Sequence, residues 1–150
     1  GISNFITLAN LLPKDKFQIF FSGNKEESNI IKNQIIPSCL NCTDVSNLFT
    51  LEEFISFVSL CDGLVANSTG PLHIAAALGK HTIGLYPPIE SMSVKRWAPI
   101  GNKAEFITGI PKNNPVYCNQ SCSNQNSCYC MESISPNLLK ENILKWNLNN

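Results

Sequence analysis

Charge is scarce in this sequence, and what there is cancels. Charged residues make up 15% of the 150, with eleven basic side chains against eleven acidic ones, so there is no electrostatic footprint for nucleic acid or an anionic membrane. No apolar run approaches the roughly 18 residues of a membrane span. The opening GISNFITLANLLPKDK lacks the basic start and long apolar centre of a signal peptide. These absences predict a soluble chain. The seven cysteines, at 39, 42, 61, 118, 122, 128 and 130, are odd in number and come without a secretory segment, which argues for reduced thiols in a cytoplasmic setting rather than a disulfide scaffold. Internal repeats and low-complexity tracts are also missing.

What is present is apolar periodicity. Apolar residues form 43% of the chain, and a chain of this length buries about 70% of its unfolded surface, so a single domain over 1–150 is expected. SNFITLANLL (3–12) has helical spacing, with Ser3 as N-cap and Pro13 after its end. FQIFFSG (17–23) reads as a buried strand and turn. KEESNIIKNQII (25–36) reads as a helix stopped by Pro37, SNLFT (46–50) as a short strand, and TLEEFISFVSLCD (50–62) as a helix opened by a Thr50–Glu53 capping box. GLVAN (63–67) and HTIGLYP (81–87) are non-alternating apolar runs on either side of an alanine-rich helix, the pattern of parallel strands covered on both faces. AEFIT (104–108) supplies the last strand, a cysteine-rich loop spans 115–133, and SPNLLKENILKW (135–146) closes the chain as a helix. Strands alternating with helices imply an α/β, Rossmann-like three-layer domain with a parallel sheet.

The segment ANSTGPLHIAAALGK (66–80) places small polar residues where a strand becomes a helix. In open α/β sheets, ligands sit beyond the carboxyl ends of strands. Ser68, Thr69 and Gly70 precede the helix, so their amides and hydroxyls can face an anion at the positive end of the helix dipole. Gly70 lets a phosphate approach the backbone. Pro71 suits the first helical position, and His73 in the first turn can reach the same anion. An ordinary helix start, with Ser or Thr as the cap, explains the same spacing equally well, and a lone histidine is often structural.

Cys118, Cys122, Cys128 and Cys130 put four thiols within thirteen residues. They could hold zinc structurally or stay reduced, and the C-x-C pair fits structural zinc spacing poorly, so no metal site is assigned. Cys39 and Cys42 form a C-x2-C pair in a polar loop rather than on a redox helix. Lys95, Arg96 and Trp97 lie in a loop expected on the ligand side, where a solvated pair beside a packed Trp97 is the simpler reading.

The stretch CDGLVANSTGPLHIAAALGKHTIGLYPP (61–88) resembles the signature of the heptosyltransferase-type glycosyltransferases of family 9. That signature is an apolar strand, Asp-Thr-Gly-Pro, any residue, His, an alanine-rich helix ending in Leu-Gly, and a second apolar strand. FFSGNKEES (20–28), the Leu-Glu-Glu helix and CNQSCSNQNSCYCMESISPNLL (118–139) extend the resemblance over most of the chain. It implies the C-terminal, donor-binding half of a two-domain GT-B enzyme, without the half's opening strand and without the N-terminal acceptor domain. Ser68, Thr69, Gly70 and His73 would contact the donor diphosphate and sugar. Glu26, rather than Glu27, would contact the ribose, and the backbone near Phe49 the base.

The implied reaction is inverting, metal-independent transfer of a sugar, heptose from ADP-heptose, to a lipopolysaccharide core or related surface glycan. No cofactor is implied, because the nucleotide sugar is a substrate. The general base would lie in the N-terminal domain, leaving this part inactive alone, and the parent protein would be cytoplasmic or peripheral at the inner membrane. Ser68 stands where the family usually has Asp. A non-catalytic nucleotide- or sugar-binding module of the same fold is therefore the alternative, and a purely structural cysteine-rich domain ranks last.

Overall fold

The structure, a computed structural model, describes residues 1–111 and 129–146. In chain order the elements are helix α1 (Ile2–Leu11), strand β1 (Ile19–Phe21), helix α2 (Lys25–Ile30), strand β2 (Cys42–Asp44), helix α3 (Leu51–Leu60), strand β3 (Gly63–Asn67), helix α4 (Gly70–Ala77), strand β4 (His81–Tyr86), the short helix α5 (Val94–Trp97), strand β5 (Ala104–Thr108), the short helix α6 (Tyr129–Glu132) and helix α7 (Pro136–Ile143). The α/β alternation and the parallel pairing expected of it are both present. The described residues divide into two compact units, one built mainly from 2–53 and 135–145, the other from 54–134 with Trp146. Among the described residues no helix is long and apolar enough to cross a membrane.

In the first unit, β1 and β2 pair in parallel with Ile19 opposite Cys42 and Phe21 opposite Asp44. Helices α1 and α7 lie against each other, and Leu8, Ala9, Leu139 and Ile143 are buried on them. Burial of each such leucine or isoleucine side chain contributes about 1.5–3 kcal/mol relative to exposure. Asn10 clamps the chain ahead of β2: its Nδ2 donates to the Ser38 carbonyl at 2.8 Å and its Oδ1 accepts from the Leu40 N–H at 3.0 Å.

In the first unit, some boundaries differ from the sequence reading. Helix α1 contains Ser3 rather than starting after it. The helical path from α2 continues as a wide turn over Ile31–Ile35 and a tight turn over Ile36–Ser38 that includes Pro37. Proline is tolerated there because the early residues of a helical turn have no intrahelical acceptor for an N–H. The strand expected at 46–50 lies at Cys42–Asp44 instead. The Asp44 carboxylate accepts from the Ser46 N–H at 2.8 Å and from its hydroxyl at 2.6 Å, and Asn47 follows with φ 55°. An Asx turn followed by a left-handed residue ends the strand before Leu48.

In the second unit, β4 is the middle strand of a parallel sheet ordered β3-β4-β5. Its residues Thr82–Tyr86 are all buried, as the unbroken apolar run requires of a strand covered on both faces. Helix α4 connects β3 to β4 and packs on both, burying Leu72, Ala75 and Ala76. Gly84 makes that approach possible, since a Cβ there would lie 2.7 Å from Leu72 Cδ2 and 2.6 Å from Tyr86 Cε2. Gly79 (φ 69°) ends α4. The Gly79 N–H donates to the Ala76 carbonyl and the Lys80 N–H to the Ala75 carbonyl, both at 3.0 Å, which is the Schellman pattern. At the end of β5, the Gly109 backbone lies against the Cys130 carbonyl, and Ser133 joins the two segments by accepting from the Ile110 N–H at 2.8 Å and donating to the Cys130 carbonyl at 2.7 Å. Part of the expected cysteine-rich loop is thus the helix α6. Cys118, Cys122 and Cys128, with most of 115–133, lie outside the described residues, while Cys130 is buried.

Candidate donor-binding site

Strand β3 ends at Asn67, and α4 begins three residues later with Gly70 as its first helical residue and Pro71 as its second. The sequence reading put Gly70 ahead of the helix and Pro71 first. The one-residue shift keeps the reason for Pro71, because the second position also has no intrahelical acceptor for an N–H. Thr69 occupies the N-cap in an extended conformation (φ −137°, ψ 165°), yet makes no side-chain cap bond. Its hydroxyl turns back and donates to the Asn67 carbonyl at 3.1 Å. The first turn of α4 also contains no acidic residue. The positive end of this helix dipole therefore lacks both devices by which side chains compensate it.

Gly70 is exposed, and a Cβ built on it would meet no atom within 4 Å. Its φ is not positive either. Neither packing nor backbone conformation requires glycine here, although glycine in a helix costs about 1 kcal/mol relative to alanine. The His73 side chain, half-buried on the same turn, makes no hydrogen bond among the described residues. Ser68, Thr69, Gly70 and His73 are thus brought together around one helix entry.

Ser68 is half-buried and lies near a residue that the sequence reading missed, Tyr86. The Tyr86 hydroxyl donates to the Trp97 carbonyl. Burial pushes the Tyr86 phenol above its ordinary value of 10.0, and the neighbouring Ser68 hydroxyl partly opposes that rise. A tyrosine closing a buried strand was the available signal, since a buried phenol usually finds a partner. Trp97 is 48% exposed; rather than packing in the core, it donates its Nε1–H to the Ser91 carbonyl at 3.1 Å and carries the Arg96 guanidinium 5.9 Å from its ring centre. Lys95 and Arg96 are exposed.

The two remaining expected contacts belong to the first unit. Glu26 is exposed in the first turn of α2, whereas Glu27 is committed to a capping box: its carboxylate accepts from the Asn24 N–H and its own N–H donates to the Asn24 side chain, both at 2.9 Å. Phe49 is 36% exposed, two residues ahead of α3. Burial, followed by the neighbouring Cys42, pushes the Cys39 thiol up to about 12. Among the described residues no three His, Cys, Asp or Glu side chains converge as metal ligands.

The family model for glycosyltransferase family 9 (heptosyltransferase) matches residues 2–128. The lipooligosaccharide heptosyltransferase 2 of Haemophilus influenzae is 26% identical over 108 residues, which is 69% of this chain and 30% of that protein. The solved structure of an ADP-heptose lipopolysaccharide heptosyltransferase II from Escherichia coli superimposes with a TM-score of 0.72 at 19% identity, covering 96% of this chain and 40% of the other. A family 9 glycosyl transferase from Veillonella parvula gives a TM-score of 0.76 at 15% identity, with 97% and 41% covered. The chain thus spans less than a third of the length of that curated relative and, by sequence and by fold, belongs to glycosyltransferase family 9.

Proposed function

We propose that this chain is the donor-binding part of an inverting glycosyltransferase that transfers a sugar, heptose from ADP-heptose, to a lipopolysaccharide core or related surface glycan. The observation that carries the reading is the α4 entry, with no side-chain cap, no carboxylate and open space at Gly70. An anion is what such an entry lacks, and a diphosphate supplies it.

In the reaction, an acceptor hydroxyl oxygen attacks the anomeric carbon while the bond to the diphosphate breaks and the diphosphate leaves with the electron pair. Negative charge grows on the leaving oxygens, where preorganised amides and a helix dipole stabilise it more than in the ground state. Thr69, Gly70 and His73 take that role. The base that removes the acceptor proton, and the acceptor site, belong to parts of the protein outside this chain, which alone is inactive. Glu26 is kept for the ribose and the backbone near Phe49 for the base. No metal or cofactor takes part, and the complete protein works in the cytoplasm or at the inner membrane surface.

One observation favours a second reading: Ser68 carries no charge where the family usually has Asp, as in a nucleotide- or sugar-binding module that has lost transfer activity. The test is NMR titration with ADP, UDP, GDP and their sugar conjugates, following His73 and the amides of 68–70, beside Gly70→Val and an assay of sugar transfer by the complete protein. Saturable shifts for one nucleotide, lost in Gly70→Val, together with transfer, support the enzyme. Binding without transfer selects the module, and no binding by the complete protein removes both.

A further inference from the structure

We propose that Trp97, flanked by Lys95 and Arg96, is a platform for an anionic saccharide: the indole face takes the C–H side of a pyranose ring, and the two cations take a carboxylate or phosphate that the ring carries. The inference rests on the donor-binding reading and adds one contact, from this chain, with the outer part of the acceptor.

The chain has two tryptophans and a single arginine. Trp146 serves packing: it stacks on His81 with ring centres 5.2 Å apart, in space that a Cβ on Gly63 would take. Trp97 is 48% exposed, although each of its polar groups is bonded. Its N–H donates to the Ser93 carbonyl at 3.1 Å, its carbonyl accepts from the buried Tyr86 phenol, and its Nε1–H donates to the Ser91 carbonyl at 3.1 Å. A ring held in this way has little conformational freedom left to lose when a ligand settles on it.

The single arginine accompanies that ring, with its guanidinium carbon 5.9 Å from the ring centre, and Lys95 and Arg96 are both exposed. Over 87–103 the one acidic residue, Glu90, stands against Lys95, Arg96 and Lys103, so a chain without net charge is locally positive here. Guanidinium and ammonium groups match carboxylate and phosphate oxygens, and the flat apolar face of an indole matches the C–H side of a sugar ring.

The sheet sets the position. Strands β3 and β4 are parallel neighbours with Asn67 opposite Leu85, so the chain leaves both at the same end, from one toward the α4 entry and from the other toward α5. The Tyr86 phenol ties the end of α5 back to β4. With the donor diphosphate at the α4 entry, the cations beyond β4 are left for an anion of the other substrate. Placement at this end of the sheet favours a saccharide over a lipid surface.

The test uses the complete protein and four probes: glucose 6-phosphate, glucuronate, glucose and inorganic phosphate. The Trp97 indole N–H NMR signal reads the site, and saturation transfer from protein to the sugar C–H protons reads the stacking. At least one of the two anionic sugars is expected to move the Trp97 signal saturably and to bind about twofold to fivefold better than glucose, the range of an exposed ion pair; which one does so assigns the charge as phosphate or carboxylate. Arg96→Gln breaks none of the three bonds that hold Trp97 and is expected to remove that advantage. Trp97→Ala keeps the Tyr86 bond, which goes to the backbone, and is expected to abolish the saturation transfer. Binding is expected to persist with ADP, UDP or GDP at saturation. Displacement of the sugar by a nucleotide would place these cations in the donor site and overturn the proposal. So would a Trp97 signal that no sugar moves, or one that moves only with vesicles of phosphatidylglycerol. If no nucleotide shifts the amides of 68–70 while an anionic sugar still binds at Trp97, the donor reading falls alone and the platform stands as a glycan site.

Discussion

Helices α2 and α4 enter their units in opposite ways. At α2, Asn24 and Glu27 satisfy one another's backbone N–H groups, and Glu26 and Glu27 place negative charge in the first turn. At α3, Thr50 and Glu53 repeat the arrangement, with the Thr50 N–H on Glu53 at 2.8 Å and the Glu53 N–H on Thr50 at 3.3 Å. At α4 the Thr69 hydroxyl turns away and no carboxylate is present. Helix α7 also starts without a side-chain cap, so the missing cap alone does not single out α4. What does is its combination with a glycine that neither packing nor dihedral angle requires. The sequence closes two helix ends with its own side chains and leaves a third without such closure.

The largest effect tests whether the sheet beneath supports the open entry. Gly84→Ala puts a methyl into Leu72 and Tyr86 and is expected to destabilise the protein by about 1–3 kcal/mol, read from denaturant midpoints. The same change also pushes on Leu72 in the first turn of α4, so nucleotide-sugar affinity should fall in step. Next, Asn24→Ala removes a working cap and is expected to cost about 0.5–2 kcal/mol, whereas Thr69→Ala removes only an exposed bond to a carbonyl and should stay within about 0.5 kcal/mol. Equal costs at the two sites would mean that Thr69 caps α4 after all.

Gly70→Ala sharpens the contrast further. With no positive φ and no clash, it is expected to stabilise the protein by about 0.4–1 kcal/mol while weakening nucleotide binding, a trade of stability for function. Loss of stability on this change would reveal a structural need for glycine at 70. The smallest effect is a pH dependence in the first unit. The Cys39 thiol is raised from 9.0 to about 12, so the native state disfavours its thiolate. The stability this represents is complete below pH 9 and is lost as the pH rises toward 12. Cys39→Ser should flatten the fall in denaturation midpoint over that interval.

Legibility followed the length of the signal. The capping box at Thr50–Glu53 and the βαβ unit of β3, α4 and β4 could be read directly, because each depends on neighbours close in sequence. The second strand could not. Leu48 and Phe49 carry the apolar character, yet are 65% and 36% exposed, and three modest residues, Cys42, Thr43 and Asp44, pair with β1 instead. Strand pairing is won by contacts between distant segments, to which local hydrophobicity is a weak guide. In the candidate site, Ser68, Thr69, Gly70 and His73 were legible because they fall on six consecutive positions. The bond from Tyr86 to the Trp97 carbonyl was not, because it joins residues eleven positions apart, well beyond the entry itself.

The sequence by itself determined the α/β alternation, the parallel character of the buried strands and the small polar helix entry, since periodicity, turn chemistry and caps are local properties of the chain. Only the tertiary structure decided where the second strand pairs, that Thr69 leaves α4 uncapped, that Gly70 faces open space, and that the Tyr86 proton is given to the Trp97 carbonyl. Those four depend on which distant groups compete for the same donors, acceptors and volume. That competition is settled only when the chain has folded.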